Sequence, residues 1–400
     1  MKILFIAPRL PVPVDTGAKI RTFNILKQLV KFAEVDLVCF SFNQNDNRYV
    51  KSLTDINVSC HMVPSKDISF IKKVWITAFY NIPFSVWKYY SYSMQEKIKE
   101  LVAKNRYDAV HIDHIHMAHY GKHLNVDTLC IDEHNVEYKI LERCARVEDN
   151  IIKRQIFSSQ AKKMMKFESQ RLLEFSAAFT VSSDDAELIR KITLPSYKVY
   201  VVPNGVDTTF FNPTDIGFKN IEKEPYSLIF TGSMDWLPNE DAVIYFCKEI
   251  LPILWREEPK IKFYVVGKNP SESLRVQAGK DDRIIFTGRV DDIRDYVLRS
   301  PIFVVPLRIG GGTRLKILEA MAMERAVVST TIGAEGISYT DGENIIIADS
   351  PEQFSKKILN LIESPDKITR IGKAARSFVC NNYDWTIIGK RLKQIYIGPC

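Results

Sequence analysis

Residues 310–321 read Gly310-Gly311-Gly312-Thr313-Arg314-Leu315-Lys316-Ile317-Leu318-Glu319-Ala320-Met321. Glycines let backbone N–H groups approach a ligand closely. The apolar periodicity that follows predicts a helix, whose first turn adds unpaired donors and a partial positive charge. Arg314 and Lys316 add full charge, so the segment suits an anion. Glu319 lies five residues past Arg314, about 7–8 Å along a helix rising ~1.5 Å per residue. That is about the span from a diphosphate to its ribose. The expected ligand is therefore a nucleoside diphosphate, with phosphates at the helix tip and ribose hydroxyls on Glu319. A plainer reading is a glycine cap on an ordinary helix, with Lys316 and Glu319 as an i,i+3 ion pair.

A second group of reactive side chains is His111-Ile112-Asp113-His114-Ile115-His116, with His119 and His123 beyond. Imidazoles with a carboxylate suit zinc. However, the pattern puts His111 and Asp113 on a strand and His116, His119 and His123 on the next helix, so no metal is expected. Asp113 and His114 are expected on the acceptor side of a site, with the helix histidines packing or at the surface. Between Phe70 and Tyr92, aromatics alternate with lysines (Lys72, Lys73, Trp75, Phe79, Tyr80, Phe84, Trp87, Lys88, Tyr89, Tyr90). Such a mixture fits peripheral contact with an anionic membrane, or equally helices packing aromatics inward. Asp235-Trp236-Leu237-Pro238-Asn239 follows a strand end and either lines a ligand or starts a helix.

These residues need a frame. Short apolar runs alternate with helical patterns almost throughout, which predicts parallel α/β layers. In the first half the strands expected are Lys2–Ala7, Val35–Phe40, Val58–Val63, Ala109–Asp113, Thr128–Asp132, Ala178–Val181 and Val199–Val202. Gly17 precedes a helix from about Ala18, and one long amphipathic helix is expected over Arg146–Phe175. In the second half they are Ser227–Thr231, Ile261–Val266, Ile284–Thr287, Ile302–Val305, Ala326–Ser329 and Asn344–Ile347. Ser350-Pro351-Glu352-Gln353 should open a helix. The polar stretch Pro203–Pro225 reads as a linker. The expected domains are 1–203 and 204–382, with a helix over 383–400 packing back towards the first. Gly17, Asp113, His134, Gly232, Gly267, Gly288 and the glycine run all fall just past strand ends, where α/β sheets bind ligands.

At 400 residues the chain suits two domains. A hydrophobic content of 46% with 26% charged residues fits a soluble globular protein. The net charge of +7 suits an anionic substrate or an acidic membrane surface and does not by itself suggest nucleic acid. The seven cysteines lack any C-x-x-C spacing and read as reduced thiols of a cytosolic protein. The apolar start is too short for a signal peptide, and no run reaches spanning length, so a cytoplasmic location is expected, with peripheral contact at the inner membrane face through 70–92. No G-x-G-x-x-G follows the first strand and no G-x-x-x-x-G-K-[ST] occurs, against a dinucleotide site or P-loop.

Taken together, the motifs resemble glycosyltransferase family 4, retaining enzymes of the GT-B fold. The resemblance runs through Lys2–Pro8 with Gly17, Ile131-Asp132-Glu133-His134-Asn135 and Val201-Val202-Pro203-Asn204-Gly205-Val206-Asp207. It continues through Phe230-Thr231-Gly232-Ser233, Val265-Val266-Gly267 and Phe286-Thr287-Gly288-Arg289-Val290. It is most specific at Leu318-Glu319-Ala320-Met321-Ala322 with Ala326-Val327-Val328-Ser329-Thr330. It implies two Rossmann-like doubly wound domains facing across a cleft, with a nucleotide-sugar donor held by the second. Glu319 would bind ribose. Backbone at Arg289 and Val290 would hold the base. Gly17, Gly311, Gly312 and Thr313 would cradle the diphosphate, with Gly232, Ser233 and Leu315 also in the donor site. His134 would sit near the transferred sugar. The reaction implied is metal-independent transfer with retention, the leaving phosphate taking the acceptor proton, onto a glycan or lipid-linked acceptor. No cofactor is expected beyond the nucleotide-sugar co-substrate. Other readings are a sugar-nucleotide epimerase of the same fold and a non-catalytic nucleotide-sugar-binding partner. The chain departs from many relatives in having Gly311 where they carry a first glutamate. It also has Ser233 and Asn239 near where they carry an Arg and a Lys. Arg314 and Lys316 are expected to replace that charge, as in the subgroup with a G-G-G-T-R-L-K loop.

Overall fold

The computed structural model describes residues 1–65, 82–122, 124, 126–215, 217, 221–310 and 312–398, without the side chains of 44 and 45. Gly311, His123 and residues 70–81 of the aromatic segment 70–92 lie outside the described residues. Two compact units are present: Met1–Pro203 with Ile388–Cys400, and Asn204–Ile387.

The first unit has strands β1 (Lys2–Ala7), β2 (Glu34–Ser41), β3 (Val58–Pro64), β4 (Ala109–Asp113), β5 (Thr128–Glu133), β6 (Ala177–Thr180) and β7 (Val199–Val201). They form one parallel sheet in the order β3-β2-β1-β4-β5-β6-β7. The second unit has β8 (Ser227–Thr231), β9 (Lys262–Val266), β10 (Ile284–Gly288), β11 (Ile302–Val305), β12 (Ala326–Ser329) and β13 (Ile346–Ile347). Its parallel order is β10-β9-β8-β11-β12-β13. Helices cover both faces of such sheets, which is why the strands read as unbroken apolar runs. Ile3 to Ala7 are all 0% exposed, each large side chain contributing about 1.5–3 kcal/mol by burial.

Strand order decides where ligands can bind. Each sheet reverses its winding once, between β1 and β4 in the first unit and between β8 and β11 in the second. Connections leaving those neighbouring strand ends diverge and open a crevice. The segments that follow are the Gly17–Leu29 helix, Asp113-His114, Gly232–Asn239 and the 310–319 run. These four segments therefore start at a switch point, whereas His134 follows β5, next to β4, and Gly267 and Arg289-Val290 follow β9 and β10 on one side of β8.

Two expectations change. The helix foreseen over 146–175 starts later, at Ile151, and runs to Arg171, with a separate helix, Glu137–Val147, before it. Asn150 sets that start, because its side chain caps the N–H groups of Ile152 and Lys153 at 3.0 and 3.1 Å. The second helix is not one-sided, since residues 151–156 are exposed on every face. The expected linker is also largely built structure. Val206 is buried and donates to the Tyr383 carbonyl at 2.8 Å, Thr208 donates to Asp384 at 2.6 Å, and Arg376 donates to the Phe211 carbonyl at 2.9 Å. The final helix, Trp385–Ile397, falls in the second unit only up to Ile387. Within the first unit, its Tyr396 hydroxyl lies 2.6 Å from His111 Nδ1.

Candidate active site

At the second unit's switch point, two glycines clear the strand ends. A Cβ on Gly267 would lie 1.7 Å from the Gly232 carbonyl oxygen, and one on Gly232 would lie 2.7 Å from Asn239 Nδ2. Into this space reaches Lys316, from the first turn of the helix Leu315–Ala322. Its ammonium donates to Asn239 Oδ1 at 2.8 Å and sits 3.9 Å from the centre of the Phe230 ring. Asn239 is fixed in turn by donating to the Ser233 carbonyl at 2.8 Å. The i,i+3 pair with Glu319 does not form; among the described residues no carboxylate pairs with Lys316. Arg314 takes another course. Its guanidinium folds back on its own loop, bonding the Gly312 carbonyl and packing on Gly310, where a Cβ would lie 2.3 Å away.

Thr313 is a loop anchor. Its carbonyl accepts from Asn204 Nδ2 and its hydroxyl donates to the Gly336 carbonyl, both at 3.3 Å. Gly312 has φ +68, open to glycine at little cost. Leu315 opens the helix, and Ser233 bonds Asp235. Arg289 is exposed and Val290 half-buried just past β10.

Charge in this site is poised. Burial, then Arg314, pushes Lys316 down to about 7, with Glu319 opposing. Burial pushes Glu319 up to about 7, with Lys316 opposing. A cation and an acid, each enclosed and without an ionic partner among the described residues, suit a ligand carrying an anion at one end and hydroxyls at the other.

In the first unit, Asp113 is the hub. It is 1% exposed and its Oδ1 lies 2.7 Å from His134 Nε2. Its Oδ2 accepts the Thr22 hydroxyl at 2.8 Å and lies 3.1 Å from His114 Nδ1. The rings of His114 and His134 face each other with centroids 3.6 Å apart. Burial, then His114, lowers His134 to about 4, so it is neutral at pH 7. Burial would raise Asp113, but His134 and His114 outweigh it and hold it well below the usual carboxylate range. Beside them, Arg21 clamps Asp132 through two bonds of 3.0 and 2.7 Å, both side chains 1% exposed. Gly17 begins the helix that carries Arg21 and Thr22.

Asp113, His114 and His134 also bring ligand atoms within 4.8 Å of one another, as do His111, Asp113 and Asp132. The guanidinium on Asp132 opposes a cation in the second set. In the first, the carboxylate also accepts from Thr22 and lies 2.7 Å from His134 Nε2. His111 stacks on Phe5 with centroids 4.4 Å apart, and His119 stacks on Tyr90 at 3.8 Å. His111 Nε2 also lies 3.8 Å from Asp132 Oδ2, so it joins the edge of the cluster. Sequence reasoning did not reach Arg21 or Thr22, and named Asn204 only as part of a matched motif without a role. A cation in line with Ile25 and Leu29 on the buried face of a helix was the available signal for Arg21.

Known proteins match this architecture. Residues 16–210 fit the family described as Glycosyltransferase Family 4, and residues 225–364 fit Glycosyl transferases group 1. The chain has the GT-B fold, two parallel-sheet halves that each match a glycosyltransferase family model. An uncharacterized 44.6 kDa protein in the cps region of Klebsiella pneumoniae is 22% identical over 395 residues, 96% of each chain. Phosphatidyl-myo-inositol mannosyltransferase of Mycolicibacterium smegmatis is 27% identical over 201 residues, 49% of this chain and 50% of that one. This chain thus spans about half of that relative's length. HepE of Anabaena, solved with UDP and glucose, shares the fold at TM-score 0.73 and 15% identity, with 100% of both chains covered.

Proposed function

We propose that the protein is a retaining, metal-independent hexosyltransferase that moves a sugar from a nucleoside diphosphate sugar to a glycan or lipid-linked acceptor. The observation that carries this reading is Lys316, held by Asn239 at the end of β8 with no ionic partner among the described residues, one turn before Glu319. Cleaving a sugar–diphosphate bond builds charge on the leaving phosphate, and a preoriented cation stabilises that charge more than the ground state. In this reading Lys316 and the loop amides take the diphosphate, Glu319 the ribose, and backbone at Arg289 and Val290 the base. Neutral His134, oriented by Asp113, serves as a hydrogen-bonding group for the transferred sugar. The UDP of the HepE complex and the mannosyl transfer named for the mycolicibacterial relative support the class of donor and acceptor.

The test is a thermal-shift screen of UDP-, GDP- and dTDP-sugars, followed by acceptor-dependent release of nucleoside diphosphate. One donor should stabilise the chain, Glu319→Ala should remove the shift, and EDTA should leave turnover within about twofold, far less than loss of a catalytic metal's several kcal/mol. Acceptor-independent conversion of the donor would instead identify an epimerase. Donor binding without release under any acceptor would identify the non-catalytic partner, which the missing acid at Gly311 favours.

A further inference from the structure

The Ile151–Arg171 helix outgrows the first unit near its start. Glu168 Oε1 accepts the Glu137 N–H at 2.8 Å, which fixes that level of the helix beside the residues that follow β5. From there Ile151 lies about 25 Å back along the axis, at ~1.5 Å per residue. The Glu137–Val147 helix packed alongside has 11 residues, about 16 Å, so the first turns of the longer helix overhang it. On that overhang Ile151, Ile152 and Ile156 are 68%, 71% and 49% exposed, with Lys153 and Arg154 between them. Single exposed apolar side chains are ordinary. Three within two turns, where no core reaches, form a patch that marks an interaction site.

Behind the tip the two helices part into a groove. Its cavity of about 530 Å³ is lined by Arg146 from the shorter helix and by Arg154, Ser158 and Lys162 from the longer, with Ala145 and Ala161 keeping it open. Arg154 is anchored there, its Nε donating to the Glu148 carbonyl at 2.9 Å. Glu142, also on the wall, is held by Lys139 at 3.0 Å. Among the described residues Arg146, Arg154 and Lys162 form no ion pair. The longer helix carries Lys153, Arg154, Lys162, Lys163, Lys166 and Arg171, while its one acid, Glu168, is buried. Glu148 and Asp149 in the turn before it offset only part of that charge.

Charge and shape together select the occupant. The cations call for an anion, and the isoleucines call for an apolar medium beside it. A second copy of so basic a tip would be repelled. A narrow convex tip does not present the ~800 Å² per partner of a stable protein interface, whereas a bilayer takes up a tip without matching its shape. We propose that this hairpin docks the protein on an anionic phospholipid surface. Ile151, Ile152 and Ile156 enter the boundary between headgroups and acyl chains, and Arg146, Arg154 and Lys162 pair with lipid phosphate. This surface is separate in sequence from the aromatic and lysine segment 70–92. Docking needs neither nucleotide nor acceptor, so it is independent of the transferase reading.

The test floats the full chain with phosphatidylcholine vesicles, with and without phosphatidylglycerol. Wild type should bind the anionic vesicles far more tightly than the neutral ones, and less as salt rises. The triple variant Ile151→Ser, Ile152→Ser, Ile156→Ser should lose at least about 100-fold in partitioning, each buried CH₂ being worth roughly fourfold. Arg146→Ala, Arg154→Ala and Lys162→Ala should each cost about fivefold. All of these side chains are exposed, so melting temperatures should not change. Ile152→Trp should add an emission that brominated lipid quenches. Undiminished binding by the triple variant, equal binding to neutral vesicles, or no binding by wild type overturns the proposal. Displacement by soluble glycerophosphoglycerol overturns it too, and assigns the groove to a free phosphodiester. A wild-type dimer in sedimentation that the triple variant converts to monomer would likewise overturn it, and assign the tip to a second copy.

Discussion

At the scale of single residues, the second unit divides labour between two cations that sequence alone treats as a pair. Arg314 rigidifies the glycine loop, while Lys316 leaves its helix and meets Asn239, 77 residues earlier in the chain. Lys316→Ala should therefore weaken nucleoside diphosphate binding by about 10–100-fold, the loss of a charge-assisted contact. Asn239→Ala should weaken it by less, because the ammonium survives without its aim. Titration calorimetry checks both. Lys316, lowered to about 7 in the free protein, is mostly neutral at pH 8. A bound diphosphate favours its charged form, so binding at pH 8 should take up a proton. Affinity should fall as pH rises from about 7 towards the higher pKa of the complex. Glu319, raised to about 7, should release a proton below neutrality when ribose hydroxyls favour its carboxylate. Calorimetry in buffers of different ionisation enthalpy should find uptake at pH 8 and none in Lys316→Ala.

Among the elements, the parts that aim these side chains are strand ends, glycine gaps and helix caps. Strand positions were legible because apolar runs of four to eight residues bounded by turn residues have few other readings. The start of Pro351–Ile362 was legible for a similar reason, with Ser350 capping Gln353. The break at Asn150 was not, since helical periodicity on both sides hides a cap that acts through local hydrogen bonds. Asn150→Ala should cost about 1 kcal/mol in denaturant titrations without changing turnover. Gly267→Ala should be far worse. At φ +150 and 1.7 Å from a carbonyl oxygen, a methyl group forces the ends of β8 and β9 apart. Loss of several kcal/mol is expected, well beyond the ~1 kcal/mol of an ordinary mutation. A Gly267→Ala chain melting within a degree of wild type would contradict this picture of the strand ends.

Across the whole molecule, two units with separate cores should report separately on ligands. Among the described residues no helix is long and apolar enough to cross a membrane. Nucleoside diphosphate at 100 times its dissociation constant should stabilise the unit that binds it by about 2.7 kcal/mol. Differential scanning calorimetry should show that gain in the transition that Gly267→Ala lowers. A shift confined to the other transition would move the nucleotide site out of the second unit.

What the amino-acid sequence determined by itself was local. Alternating apolar runs set the strands, the glycine run with Lys316 and Glu319 marked an anion-and-hydroxyl site, and matched strand-end motifs indicated the family. Only the tertiary structure decided the rest, because each remaining feature depends on groups far apart in the chain. Strand order placed β1 beside β4 and β8 beside β11, which made their ends switch points. The packing of one helix against the sheet sent Lys316 to Asn239 instead of Glu319. The bond from His114 to the Asp132 carbonyl set a backbone angle that no residue pattern encodes, and with it the pairing of two histidines on Asp113.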